Sequence, residues 1–111
     1  MFGSKKQGAV HVVTGCVCLD HETVEDAREI FDQCAAQGQP RVVFDMEAIP
    51  LVDSSGLELL LDAQDHCRSR AGALRLAAPN QLCRDILVAT SVADDFEIYD
   101  DVLTAVGSYA L

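Results

Sequence analysis

Arg41-Val42-Val43-Phe44-Asp45-Met46 and, shortly after it, Val52-Asp53-Ser54-Ser55-Gly56-Leu57 decide how this chain folds. The first run is apolar, β-branched and aromatic and has the length of a strand, and Ile49-Pro50-Leu51-Val52 carries the apolar character onward. From Leu57 the pattern changes: Leu57, Leu60, Leu61, Gln64 and Cys67 recur every three or four residues, one face of an α-helix. The two serines therefore sit where a strand hands over to a helix. The first backbone N–H groups of a helix lack intrahelical partners and its dipole is positive there, so an oxygen-rich anion is tolerated.

Working outward, Ala9-Val10-His11-Val12-Val13 and Cys16-Val17-Cys18-Leu19 read as two strands around a Thr14-Gly15 turn, an antiparallel pair. Asp20 is placed to cap a helix with Val24, Ala27, Phe31 and Cys34 inward, stopped by Gly38 and Pro40. Beyond the central helix, which Gly72 ends at a left-handed position, Ala73–Ala78 reads as a strand. A third helix opens at Pro79-Asn80 with Leu82, Cys83, Ile86 and Leu87 inward, Phe96–Tyr99 makes a last strand, and Asp100 or Asp101 caps a last helix. The order β, β, α, β, α, β, α, β, α predicts an α/β domain. Its sheet is mixed, because strands joined through helices run parallel while the first pair is antiparallel, and about four helices flank it. Residues 1–8 read as a loose N-terminus and 9–111 as one domain.

The chain has 111 residues, half of them hydrophobic, enough for one core and no second domain. No stretch reaches the roughly 20 apolar residues of a membrane span, and the N-terminus lacks the apolar centre of a secretory signal, so no membrane insertion and a cytoplasmic location are expected. The five cysteines form no C-x-x-C pair and read as small buried hydrophobes in a reducing compartment. His11, Cys16, Cys18 and His21 are the one conceivable metal set; Cys16 and Cys18 would share a strand face, which favours packing over a metal site. A net charge of −10 argues against direct nucleic-acid binding. Six of the acids (Asp85, Asp94, Asp95, Glu97, Asp100 and Asp101) lie beyond residue 80 against one base, Arg84: a solvated face with helix caps, or a docking surface for a basic partner.

The Val52–Leu57 segment, with the order of elements around it, resembles the phosphoacceptor motif of STAS domains, the family of bacterial anti-sigma factor antagonists. The resemblance runs from the strand near Val10 to the helix near Val106. It implies that Ser54, the first hydroxyl after the aspartate, is phosphorylated by a partner serine kinase, with Ser55 the second choice and Asp53 and Gly56 in support. It further implies transcription control by partner switching: the unphosphorylated protein binds an ATP-dependent anti-sigma factor serine kinase and frees the sigma factor, phosphorylation ends that binding, and a PP2C-like phosphatase resets it. No enzymatic activity and no cofactor follow from it, and the oligomeric state stays open. STAS domains also serve as scaffolds in stress-signalling complexes and as accessory subunits of lipid transporters, so an assembly role is the alternative. Between Gly15 and Asp20 the spacing is longer than the family's common Gly-x-Leu-Asp, and no role is transferred to Asp20.

Plainer readings stand beside these. Ser55-Gly56-Leu57-Glu58 fits the S-x-x-E capping box, which commits Ser55 to the backbone, leaves Ser54 free and makes Asp53 a further candidate cap. Gly56 offers room for a partner's backbone. Leu57, Glu58, Leu59 and Ala63 are candidates for the partner surface: Leu59 and Ala63 lie off the inward stripe, either exposed beside Ser54 or covered by a neighbouring helix. A receiver domain phosphorylated on Asp45 would need an acidic pair after its first strand and a Lys-Pro after its fifth, whereas the only lysines are Lys5 and Lys6. A serine hydrolase is disfavoured, because there is no G-x-S-x-G elbow and His11, His21 and His66 suggest no base.

Overall fold

Residues 1–36 and 38–110 are described by the computed structural model. The strands are β1 (Phe2–Gln7), β2 (Val10–Gly15), β3 (Arg41–Asp45), β4 (Ala73–Ala77) and β5 (Ile98–Tyr99). The helices are α1 (Val24–Ala35), α2 (Ser54–Ser69), α3 (Gln81–Ala89) and α4 (Val102–Gly107), with 3-10 turns at Val92–Asp95 and Ser108–Ala110. The strands lie in the order β1-β2-β3-β4-β5; β1 and β2 are antiparallel and every other pair is parallel.

Because each crossover steps one strand in the same direction, right-handed connections put α1, α2 and α3 on one face of the sheet. The main core lies there: Val13, Val42, Phe44, Leu74 and Leu76 of the sheet meet Ala27, Phe31 and Cys34 of α1, Leu60 and Cys67 of α2, and Cys83 and Leu87 of α3. The Phe31 and Phe44 rings meet edge to face with centroids 5.3 Å apart. A smaller cluster on the other face, Val10, Val12, Val43 and Ala77, is covered by α4 through Ala105. The interior of β3 is fully buried, which is why it reads as a continuous apolar run.

The antiparallel pair exists, one step earlier than the sequence suggests. Phe2–Gln7, expected to be loose, forms β1; the turn is at Gly8 (φ 62°) and Ala9; and Gly15, expected in the turn, ends β2 opposite Phe2. An edge strand needs little apolar surface, and Lys5 and Lys6 discourage pairing with further chains, so β1 carries polar residues that resemble a tail. Gly15 is needed because the Phe2 ring lies where a Cβ would go, at 2.6 Å. Cys16–Leu19 is not a second strand: Leu19 alone makes a parallel bridge to Val52.

Three further details also differ. Leu82 is exposed, not inward. Cys16 is exposed and Cys18 half-buried, whereas Cys34, Cys67 and Cys83 are buried; burial pushes the Cys67 thiol up to about 11. At the end of α2 the left-handed residue is Ala71 (φ 62°), with Gly72 after it, in a Schellman arrangement whose N–H groups reach the carbonyls of Arg68 and Cys67 at 3.0 and 2.8 Å. Gly72 serves close approach: a Cβ there would stand 2.0 Å from the Pro40 carbonyl oxygen.

Candidate functional site

β3 ends at Asp45, the chain crosses the top of the sheet through Ile49 and Val52, and α2 begins at Ser54. Asp53 is the N-cap, with extended backbone (φ −98°, ψ −174°), and its Oδ1 accepts from the Gly56 N–H at 3.0 Å. Its Oδ2 accepts from the His21 N–H at 3.1 Å, and the His21 ring Nδ1 lies 3.7 Å away. These bonds to the ionised carboxylate, that from Gly56 foremost, hold Asp53 below its ordinary pKa. The capping box expected on Ser55 and Glu58 is not formed; Asp53 occupies the cap, two positions earlier.

Ser54 is therefore the first helical residue, and it is exposed. Among the described residues its hydroxyl has no hydrogen-bond partner, while Ser55 is half-buried. The peptide leading to Ser54 is fixed from both sides. The Leu19 N–H donates to the Leu51 carbonyl at 2.9 Å, and the Asp53 N–H donates to the Leu19 carbonyl at 3.1 Å. Gly56 is buried against the same residue: a Cβ would lie 2.5 Å from the Leu19 carbonyl oxygen and 2.9 Å from Val52 Cγ1. The close approach that needs this glycine is the chain's own backbone, not room kept for a partner.

Of the candidate surface residues only Glu58 is exposed. Leu57, Leu59 and Ala63 are buried. Leu59 and Ala63 lie on the side of α2 that carries Asp62 and His66, which face Arg28 and Asp32 of α1 at 3.2 and 3.7 Å, so the neighbouring helix covers them. Exposed apolar side chains occur instead at residues the helical period does not point to: Leu51, 38% exposed, on the loop before the motif, and Leu82, 53% exposed, on the first turn of α3, which is tied to that loop. The Asn80 side chain ties α3 to that loop, donating to the carbonyls of Ile49 and Pro50 at 3.2 and 3.3 Å while capping α3 at Cys83. A Leu just before a helix motif was a legible signal; the exposure of Leu82 depended on where α3 docks.

His11, Cys16, Cys18 and His21 do not converge: His11 is in β2, Cys16 is exposed beyond it, and His21 faces Asp53. Among the described residues no group of three or more His, Cys, Asp or Glu is placed to hold a metal ion.

The family model for the STAS domain matches residues 5–105 of this sequence. The chain belongs to the STAS domain family. No curated protein matches it. Among solved structures, the STAS fold here is similar to that of a candidate anti-sigma factor antagonist from Thermotoga maritima, at TM-score 0.92 and 20% identity over 99% of this chain and 95% of that one. It is similar to the anti-sigma factor antagonist SpoIIAA in its unphosphorylated form (TM-score 0.81, 19% identity, 100% and 98% covered), a Bacillus cell fate determinant also solved in a phosphorylated form. It also resembles part of the murine Slc26a9 anion transporter (TM-score 0.80, 15% identity), covering 96% of this STAS chain and 18% of that one. In the present STAS domain no helix among the described residues is long and apolar enough to cross a membrane.

Proposed function

We propose that this protein is an anti-sigma factor antagonist that binds an anti-sigma factor serine kinase through the surface around Ser54, and that phosphorylation of Ser54 ends the complex. The observation that carries the reading is an exposed serine hydroxyl, uncommitted to the fold, held at the first turn of α2 beside an aspartate that takes over the capping. A serine used only as a cap would be bonded to the backbone; here Asp53 does that work. The chain places no proton acceptor on the Ser54 hydroxyl among the described residues, so the kinase supplies the base.

Phosphate adds about −1.5 to −2 charge at Ser54. The first-turn N–H groups soften that charge for the isolated domain, while Asp53 and Glu58 add to it, so the modified loop repels and fails to desolvate against a close-fitting partner. The exposed Leu51 and Leu82 supply the apolar part of the contact in place of Leu59 and Ala63. A PP2C-like phosphatase that accepts an exposed loop would restore the hydroxyl. The likeness to an antagonist solved in unphosphorylated and phosphorylated forms supports control by phosphorylation, and the likeness to a transporter's STAS portion defines the assembly role as the competing result.

The test is recovery of the tagged protein from its native cells, with peptide mass spectrometry of the bait and comparison of wild type, Ser54→Ala and Ser54→Asp. Phosphate on Ser54, a serine kinase retained by wild type and Ser54→Ala, and its loss with Ser54→Asp are expected. An unmodified bait that retains transporter subunits or signalling scaffolds equally in all three forms overturns the proposal.

A further inference from the structure

At the end of the sheet opposite Ser54, where β2, β3 and β4 begin and β1 ends, three adjoining depressions meet at Arg41. One of about 350 Å³ lies between Gln39, Gly72, Arg75 and Tyr109; one of about 330 Å³ opens toward Lys6 and His11; one of about 260 Å³ lies toward Val10 and Val106. Among the described residues no acidic side chain lines any of them, in a chain with 18 acids and 8 bases.

The arginine at their meeting point is unlike the others. Arg28, Arg68, Arg75 and Arg84 face carboxylates at 3.2, 3.8, 2.9 and 3.4 Å, and Arg70 donates to the Gly38 carbonyl at 3.2 Å. Among the described residues Arg41 has neither an ion pair nor a side-chain hydrogen bond. Beside it stands a second guanidinium. The register sets Arg41 opposite Ala73 and Val43 opposite Arg75, so both arginines are on one face of neighbouring strands, their backbones roughly 8 Å apart. Arg75 is fixed: it stacks on the Tyr109 ring at 4.1 Å and donates to Ser108 Oγ at 2.6 Å. Its Nε lies 2.9 Å from Glu97 but off the line of a hydrogen bond, so that carboxylate leaves the group incompletely satisfied.

We propose that this end of the sheet binds a small phosphate-bearing anion, gripped by the Arg41 guanidinium in front of the fixed charge of Arg75. A guanidinium presents five N–H donors in a planar fork that matches phosphate oxygens, and charge-assisted bonds of that kind are the strong ones. The net charge of −10 repels anions at long range, so a site that works here depends on local geometry and not on steering.

The test is a titration of the ¹⁵N-labelled protein with inorganic phosphate and with glycerol 3-phosphate, against chloride at matched ionic strength. Saturable amide shifts at Gln39, Gly72, Ala73 and Ser108 are expected, unchanged in Ser54→Ala and weakened about tenfold or more in Arg41→Gln. Should Arg41→Gln fail to fold, Arg41→Lys, which keeps the charge but loses the fork, is expected to bind more weakly than wild type. Tighter binding of glycerol 3-phosphate assigns the site to an organic phosphate; equal binding assigns it to the phosphate group alone. The proposal is overturned if neither phosphate gives saturable shifts, if chloride reproduces them, or if the folded arginine variant binds as wild type does.

Discussion

Asp53 and Gly56 do the local work that a motif-level reading gives to the serines. Since Asp53 caps α2 and also holds the His21 N–H, Asp53→Ala should cost about 1–2 kcal/mol in chemical denaturation, whereas Ser55→Ala should lie within about 0.5 kcal/mol of wild type. Gly56→Ala should cost about 1–3 kcal/mol, because the added methyl meets the Leu19 carbonyl, a backbone atom that cannot rotate away. The Asp53 carboxyl is more acidic folded than unfolded, so its stabilisation is complete above the ordinary carboxylate range and is lost as pH falls through the lower, folded value. Stability measured from pH 6 down to 2 should therefore fall less steeply in Asp53→Asn than in wild type. The Asp53–Leu57 pentapeptide was legible as a helix start bearing a spare hydroxyl; which residue caps was not, since Asp53 and Ser55 are both candidate caps in sequence and the backbone position of Asp53, bonded through its N–H to the Leu19 carbonyl, comes from a contact remote in the chain.

Among the elements, α2 is the best determined. Its inward stripe is visible in the sequence, but its second buried side is not, because burial of Leu59 and Ala63 depends on α1 lying alongside. Hydrophobic periodicity reports one face, and a helix wedged between a sheet and another helix has two. β1 escaped for the opposite reason: an edge strand of Ser, Lys and Gln carries no periodic signal. Gln64 shows what such a wedge requires. Buried in α2, it donates to the Leu74 and Asp95 carbonyls at 2.9 and 2.8 Å and accepts from the Leu74 N–H at 2.8 Å, joining helix, strand and 3-10 turn. Gln64→Leu keeps the volume but leaves buried backbone groups unpaired, and should lower stability by about 1–3 kcal/mol. Ala71→Gly should act the other way, raising stability by up to about 1 kcal/mol by relieving a left-handed alanine at the end of α2, a gain readable in the same denaturation series.

Taken whole, the molecule sets Ser54 at one end of the sheet and Arg41 at the other, so the two proposals fall on opposite ends of one domain. The α/β class, the mixed sheet and every strand and α-helix from β2 onward were legible, because long buried strands and capped helices declare themselves, whereas β1 was not and the strand expected at Cys16–Leu19 does not form. The burial around the motif was not, because it is set by the docking of α1 and α3. Tyr109, which closes the back of the sheet by donating to the Val42 carbonyl at 2.8 Å, is pushed up to about 12 by burial. Its neutral form is thus favoured in the folded state, and stability should decline as pH rises from about 10 towards 12, less so in Tyr109→Phe once the loss of its hydrogen bonds is subtracted. The bridge between Leu19 and Val52 bears on the whole design. It stitches the segment before Ser54 to the entrance of α1, so the loop has already surrendered its conformational freedom when the domain folds. On the proposed reading, a partner closing on it would meet a finished shape and need not wait for one to form, and a phosphate on the serine would alter charge without remoulding the mould.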